Sequence, residues 1–394
     1  MSSAASGYRS LLRTPGAAAF FLAATVGRVG IAMTGLGLVW LLHARTGSYG
    51  TAGLATAGFA LAEALIGPHL ARLIDRFGQI RVLPFALLAH AAAVAGVLAS
   101  TAQAAAVASA TCAGAAIPQL GALSAARWAH LLREERSDEL PTAFSLESLA
   151  NATAFLLGPV LVSALGAAGD AAIASATAAA LVLGGGAALT AQRRTAPRPA
   201  RQYTERAQPE RTLLRWDFLL LATLNLAIGM YFGTMGVSVS AFATGHDAPE
   251  AAAPIIAASS FSGLLSGWLY GLRRHRAPAH LQLVIAAAYL TGTSLLLPLA
   301  PSAIWLGASV VVTEAAVPPT LVLLNVLTEK SVHPAVLTQA FTWNNSASAA
   351  GSALAASLAG RTADELGASA AFALAPAAGL LLLILSATAR HRTA

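Results

Sequence analysis

The sequence predicts an all-α integral membrane protein with twelve transmembrane helices in two six-helix bundles, related by a pseudo-two-fold axis along the membrane normal. Apolar residues make up 56% of the 394 positions, and the mean hydropathy is +0.66, above the level of ordinary soluble domains. They form twelve blocks, each close to the roughly 20 residues that a helix needs to cross about 30 Å of hydrocarbon. A polar segment divides the blocks into two sets of six.

The longer blocks indicate helices that tilt or extend beyond the membrane. A cleaved signal peptide is excluded for the first block, because its apolar run is too long and further spans follow. The predicted spans lie near residues 15–43, 48–71, 82–102, 104–127, 139–164, 170–190, 214–243, 251–271, 279–299, 302–327, 335–360 and 367–388.

The polar, arginine-rich and proline-containing segment 192–212 is predicted to be a cytoplasmic linker between the two bundles, residues 1–191 and 213–394. An internal repeat supports this division. Ala-Phe-Ser-Leu-Glu-Ser at 143–148 recurs as Ala-Phe-Thr-Trp-Asn-Asn at 340–345. Parallel repeats of this kind are related by an axis along the membrane normal.

The basic residues predict the orientation in the membrane. All but three of the 24 lysine and arginine residues lie at span ends or in loops on one side; the exceptions are Arg28, Arg45 and Arg361. By the positive-inside rule both termini and the linker are cytoplasmic, in the inner membrane, and Asp247 is external. The net charge of +7 therefore indicates topology and attraction to lipid, and no nucleic-acid partner is predicted.

Three ionisable residues lie near the predicted midplane: Arg28 in span 1, Glu63 in span 2 and Glu314 in span 10. Charges at this depth are costly and mark proton-coupling or substrate sites. A structural ion pair between Arg28 and Glu63 is the alternative. Because removal from water favours the protonated carboxyl group, Glu314, which has no arginine at its depth in its own half, is the predicted proton carrier. Glu63 is predicted to alternate between Arg28 and substrate.

Further polar residues are predicted to line a substrate cavity. Glu147 and Asn151 lie one turn apart and share a helix face, where they could instead form a gate network with Arg127 or hydrogen bonds between helices. Amide and aromatic groups suit a ligand of mixed polarity. Cys112 and His90 are interpreted as packing residues. The predicted cavity set is Glu147, Asn151, Asn225, Tyr231, Trp343 and Asn344.

The charged turn at residues 71–81 resembles the signature loop between helices 2 and 3 of the major facilitator superfamily, Gly-x-x-x-Asp-Arg-x-Gly followed by basic residues. Ala71 replaces the first glycine, and the basic residue is displaced to Arg81. The resemblance extends to the span number, the cytoplasmic termini, the linker and the repeat. It implies that Asp75 faces the start of span 11, which Pro334 opens, and forms a cytoplasmic lock. The predicted gating set is Ala71, Asp75, Arg76, Gly78, Arg81 and Arg127.

Gly158-Pro159 resembles part of the antiporter motif of drug-exporting members. We therefore predict a monomeric secondary transporter, most similar to bacterial drug or metabolite exporters, that exchanges protons for a small, partly apolar molecule. A proton-coupled importer of a sugar or other nutrient and a non-transporting receptor or scaffold are the alternatives. The sequence contains no zincin motif, phosphate-binding loop or nucleophile elbow, so no enzyme activity, cofactor or metal is predicted.

Overall fold

The computed structural model describes residues 2–167, 171–202, 209–246, 248–273 and 275–390, and this part of the chain is helical, without a β-strand. Asp247, predicted to be external, lies outside the described residues. The helices are α1 (Ser2–Arg13), α2 (Ala17–Thr46), α3 (Tyr49–Phe77), α4 (Gln79–Ala99), α5 (Gln103–Ala116), α6 (Leu120–Leu132), α7 (Leu140–Ala167), α8 (Ala171–Ala191), α9 (Trp216–Gly245), α10 (Ala252–Leu272), α11 (Ala279–Ser294), α12 (Ala303–Glu314), α13 (Val317–Ser331), α14 (Leu337–Leu366), α15 (Ala368–Ala371) and α16 (Leu374–Arg390).

Ten helical segments of the described chain are long and apolar enough to cross a membrane. α5 with α6 forms one of them, and α12 with α13 forms another. α11 and α14 coincide with predicted spans 9 and 11 but are not among the ten. α11 has only 16 residues, and α14 carries many polar residues. The protein therefore spans the membrane several times, and the count of twelve stays a prediction.

Most buried apolar side chains belong to two large clusters. One consists mainly of residues before Phe218 and also takes in side chains of α13 and α14, such as Val322 and Phe341. The other runs from Leu220 to Leu382. The first cluster therefore includes residues from both halves of the chain at one end of the molecule. The predicted domain boundaries stay a prediction.

Predicted spans 4 and 10 are each interrupted near the middle. α5 ends at Ala116 and α6 begins at Leu120, while α12 ends at Glu314 and α13 begins at Val317. Prolines explain both breaks, because proline has no N–H to donate and its ring clashes with the preceding turn. Pro118 lies in the first break, and Pro318 and Pro319 follow the second. Each break leaves backbone carbonyl groups without their helical partners.

Side chains of neighbouring helices bind the carbonyl groups released at the second break. The Ser262 hydroxyl donates to the Val311 carbonyl at 2.6 Å, and Ser266, one turn further along α10, donates to the Ala315 carbonyl. The Tyr289 hydroxyl of α11 donates to the Val312 carbonyl at 3.2 Å. Since hydrocarbon offers no water to satisfy these groups, the three hydroxyl groups make the break tolerable.

The first break has a matching contact. Nδ1 of the buried His90, on α4, lies 2.9 Å from the Ala113 carbonyl, so this nitrogen carries the proton. Donor and acceptor are 23 residues apart here, as they are for Tyr289 and Val312, so the two halves support their broken spans in the same way. The interpretation of Cys112 as a buried residue is wrong: Cys112 is exposed, because successive helical residues lie about 100° apart and the buried Ala113 takes the inner face.

α9 and α14 pack with almost no space between their backbones. A Cβ atom on Gly229 or Gly233 would overlap the carbonyl oxygen of Ser348 or Ser352, respectively. A Cβ atom on Gly351 would overlap a carbonyl oxygen of α9. Small residues allow such close approach of membrane helices, where van der Waals contact replaces the hydrophobic effect.

Gly229→Ala should therefore lower stability by about 1–3 kcal/mol, the usual effect of overpacking. The matched control is Gly236→Ala on the same helix, where a Cβ atom has no neighbour within 4 Å. Because alanine favours a helix over glycine by up to about 1 kcal/mol, the control should be neutral or stabilising. Thermal unfolding in detergent measures both, and equal midpoints for the two variants would contradict the packing.

Candidate functional site

Arg28 lies in a polar cluster inside the first half, which we call the Arg28 cluster: Arg28, Gly121, Ser124 and Glu147. Arg28 is 6% exposed, and its Nη2 forms an ion pair with Oε2 of Glu147. Its Nη1 donates to the Glu147 carbonyl at 3.1 Å, and Nη2 reaches the Gly121 carbonyl at 3.4 Å. The Ser124 hydroxyl donates to Oε1 of Glu147 at 2.6 Å. A buried charge pair needs such additional hydrogen bonds to offset its desolvation.

The predicted pair of Arg28 and Glu63 is wrong, because Arg28 pairs with Glu147. Glu63 on α3 instead accepts a hydrogen bond of 2.6 Å from Nε2 of Gln119. Equal depth on consecutive helices does not bring two side chains together when they lie on different helix faces. Gln119 is in the break between α5 and α6, two residues before Gly121. The break therefore contacts Glu63 through Gln119, and the first turn of α6 contacts Arg28 through Gly121.

Glu314 is the last residue of α12, at the second break. Its Oε2 accepts a hydrogen bond of 3.2 Å from the hydroxyl of Tyr231, which is fully buried on α9. Gly263 of α10 lies beside it, where a Cβ atom would come within 3.9 Å of Oε1. Among the described residues, no cation pairs with Glu314 or with Glu63. Both carboxyl groups have a neutral partner, whereas Glu147 has a charged one.

The remaining residues of the predicted cavity set make separate contacts, and their place in a cavity stays a prediction. Asn225 donates to the Leu221 carbonyl of its own helix at 2.8 Å. Asn344 donates to the Thr328 hydroxyl at 2.8 Å. Asn151 is exposed, and Trp343 packs near the ring of His69, with 6.4 Å between centroids. Asn225 and Asn344 are thus already engaged within the protein.

Asp75 joins the two halves at the end of the molecule that carries the linker. Its Oδ2 accepts a hydrogen bond of 2.8 Å from the backbone N–H of Gln339, in the first turn of α14. A carboxylate stabilises the positive end of a helix dipole at this position. The position of Asp75 against the start of α14 is the one that the sequence resemblance implied, and its gating role stays a prediction.

Other hydrogen bonds between the halves lie at the same end. Arg133 forms an ion pair of 2.6 Å with Glu329. The Thr142 hydroxyl donates to the Gly271 carbonyl at 3.0 Å, and the Tyr8 hydroxyl donates to the Trp268 carbonyl at 3.0 Å. Burial raises the pKa of Tyr8, so this hydroxyl stays a donor. Within the described residues, the side-chain hydrogen bonds that join the halves close this end.

Within the 71–81 loop, Ala71 is buried and Gly78 ends α3 with φ of 96°, which favours glycine. A Cβ atom on Gly78 would lie 3.0 Å from Pro199, so the linker packs closely there. The Arg76 guanidinium lies over the Phe77 ring at 5.2 Å, and Arg81 is exposed. These residues hold the turn and the linker, while Asp75 makes the contact to the second half.

Arg127 is predicted to take part in gating, with Glu147 as one candidate partner, but its partners lie elsewhere. It is fully buried, and its Nε donates to Gln79 on α4 at 2.8 Å. The other nitrogens donate to the Leu189 and Gln192 carbonyls at 3.0 and 2.9 Å and to the Thr195 hydroxyl at 2.8 Å. Arg127 therefore fixes the end of α8 and the start of the linker to the first half.

Gln119 and Ser124 were not identified from the sequence. Gln119 directly follows Pro118, so the proline is the signal that could have indicated a polar side chain at a helix break. Ser124 lies in an alanine-rich run, and nothing in its local sequence separates it from the serines that bond only to their own helix.

The spans, the broken helices and the closed end define an all-helical membrane transporter. The sequence matches the family described as Major Facilitator Superfamily over residues 20–356. The chain therefore belongs to the major facilitator superfamily, whose members bind small-molecule substrates, often with protons, and act as single chains. Among curated proteins, none matches the sequence.

Solved structures share the fold at low sequence identity. The human organic anion transporter MFSD10 (TETRAN) is 17% identical with a TM-score of 0.73, covering 94% of this chain and 98% of that one. A bacterial homologue of the iron transporter ferroportin, in an outward-facing state, is 12% identical with a TM-score of 0.78, covering 95% and 99%. A variant of the E. coli fucose:proton symporter FucP is 11% identical with a TM-score of 0.70, covering 95% and 98%. At these identities they show the fold alone.

The Arg28 cluster predicts a large effect of removing one charge. Arg28→Met leaves the Glu147 carboxylate buried without a cation and should cost about 3–5 kcal/mol. The double variant Arg28→Met/Glu147→Gln has no buried charge and should recover most of the loss. The control is Arg45→Met. The side chain of Arg45 is exposed and donates to carbonyl groups near the end of α4. Thermal unfolding that is unchanged in Arg28→Met would contradict the pairing.

Proposed function

We propose that the protein is a proton-coupled exporter of a small, partly apolar molecule that works by alternating access in the inner membrane. In this proposal twelve spans form two six-helix bundles, 1–191 and 213–394, and both termini and the 192–212 linker are cytoplasmic. The protein acts as a monomer within the lipid bilayer. The observation that carries the proposal is Glu314, a carboxyl group at a helix break whose hydrogen-bond partner, Tyr231, is neutral.

The neutral partner is what suits Glu314 to proton transfer. A guanidinium group stabilises the ionised form of a carboxylate beside it, and Glu147 is paired with Arg28. A carboxyl group with only a hydroxyl group beside it can take up a proton when the cavity opens to the outside and release it when the cavity opens to the cytoplasm. Discontinuous helices also place coupling ions near the bilayer midplane in other transporter folds.

Export of an apolar molecule is favoured over import of a sugar because polar side chains of the predicted cavity set donate hydrogen bonds to other residues of the protein. The side-chain amide groups of Asn225 and Asn344 each donate one hydrogen bond within the protein, so fewer donors are left to bind a polyhydroxylated ligand. Gly158-Pro159 of α7 supports antiport by its resemblance to exporters. The contacts of Asp75 and Arg133 with the second half support a state closed to the cytoplasm.

Glu314→Gln should abolish proton-driven accumulation in proteoliposomes and spare energy-independent exchange, since the amide keeps the shape of the carboxyl group but cannot take up and release a proton. Glu63→Gln should reduce both, because Glu63 holds Gln119 in the first break. The substrate for the assay is found by thermal-shift screening of a chemically broad library, since a ligand that binds the folded form raises its stability.

Glu365→Gln, on an exposed part of α14, is the matched control and should behave as wild type. Full proton-driven transport by Glu314→Gln would show that Glu314 is structural. A sugar as the best stabilising ligand would favour the importer, and no counterflow of any stabilising ligand would favour a receptor or scaffold.

A further inference from the structure

A cavity of about 290 Å³ opens on the membrane-facing side of the second half, outside the site described above. Its walls are one face of α11, the start of α13 and the end of α10. Ile285 and Tyr289 at its mouth are 59% and 45% exposed, so the cavity opens towards lipid. Ala286 of α11 and Pro319 of α13 also line it.

The cavity is a groove along the membrane normal. Ala315 and Ala316 at the second break form its deep end, and Tyr270 and Gln282 form its other end, near the loop between α10 and α11. Gln282 and Tyr289 are seven residues apart, which corresponds to about 10 Å of helix. A narrow apolar groove of this length suits part of one hydrocarbon chain.

The polar groups at the loop end are satisfied internally. The Tyr270 hydroxyl donates to Oε1 of Gln282 at 2.8 Å, and Nε2 of Gln282 donates to the Ala277 carbonyl at 2.6 Å. The His275 ring stacks on Tyr270 at 4.1 Å between centroids. Tyr270 and Gln282 therefore present mainly their carbon atoms to the groove, which keeps it apolar.

Basic residues lie in the loop next to this end. Arg273 follows α10, and Arg276 is exposed in the same loop. Among the described residues, neither arginine has an acidic partner. A phosphate group at the membrane surface matches two such arginines, and an acyl chain attached to it matches the groove beneath.

We propose that an anionic phospholipid binds here, with one acyl chain in the groove between α10, α11 and α13 and its phosphate group on Arg273 and Arg276. The chain end contacts Ala315 and Ala316, next to Glu314. The ligand therefore contacts the second break from the lipid side.

Native mass spectrometry of the full-length protein with phosphatidylglycerol and phosphatidylcholine tests this proposal. Each basic residue near an anionic surface contributes about 1 kcal/mol, or about fivefold in affinity. Arg273→Gln/Arg276→Gln should therefore reduce phosphatidylglycerol binding about thirtyfold and phosphatidylcholine binding less, because choline balances the charge of the phosphatidylcholine phosphate group. Arg193→Gln/Arg194→Gln in the linker is the control with the same change in charge.

Ala286→Trp fills the groove and should reduce the binding of both lipids, whereas Ala89→Trp, at an exposed position of α4, should not. Equal binding of the two lipids by wild type would overturn the proposal, as would wild-type lipid binding by both the double arginine variant and Ala286→Trp. Displacement of phosphatidylglycerol by inorganic phosphate alone would also overturn it, because the acyl chain would then contribute nothing. The variants should remain monodisperse, since the altered side chains lie on the surface or in an open groove.

Discussion

Backbone carbonyl groups released at a helix break must find donors inside the protein, because hydrocarbon offers none. This constraint organises the middle of both halves. Pro318 and Pro319 break one span, and the hydroxyl groups of Ser262, Ser266 and Tyr289 bind the released carbonyls. In the first half, Pro118 accompanies the break and His90 supplies the donor. The fold therefore stabilises both broken spans, and each break places polar residues near the middle of the span.

The polar residues near these breaks differ in whether their partners are charged or neutral, and this difference supports the proposed function. Arg28 and Glu147 neutralise each other, and Ser124 donates a further hydrogen bond to Glu147. Such a pair holds helices together. Glu63 and Glu314 are hydrogen-bonded only to Gln119 and Tyr231. A proton can bind to these carboxyl groups without breaking an ion pair, so they are the groups suited to coupling.

Contacts between the two halves close one end of the molecule. Asp75 binds the first turn of α14, and Arg133 binds Glu329 across the halves. Both contacts depend on groups that separate if the halves rock apart, so their loss accompanies opening at this end. Both contacts are partly buried, since Glu329 is 8% exposed and Asp75 is half-buried.

Local signals in the sequence predicted much of this structure. The 71–81 loop and the repeat at 143–148 predicted the family, which the match over residues 20–356 confirms. Hydropathy placed the helices to within several residues, and Pro334 marked the start of α14. The partners of charged residues could not be predicted in the same way. Arg28 and Glu147 are 119 residues apart, and depth along a helix does not specify the face on which a side chain lies.

Infrared difference spectroscopy of the protein in lipid during a change of pH measures directly whether Glu314 exchanges a proton with water. We expect a carbonyl band of a protonated carboxyl group that disappears as the pH rises and is missing from Glu314→Gln. The same band in wild type and in Glu314→Gln would show that another group carries the proton and would contradict the proposed role of Glu314.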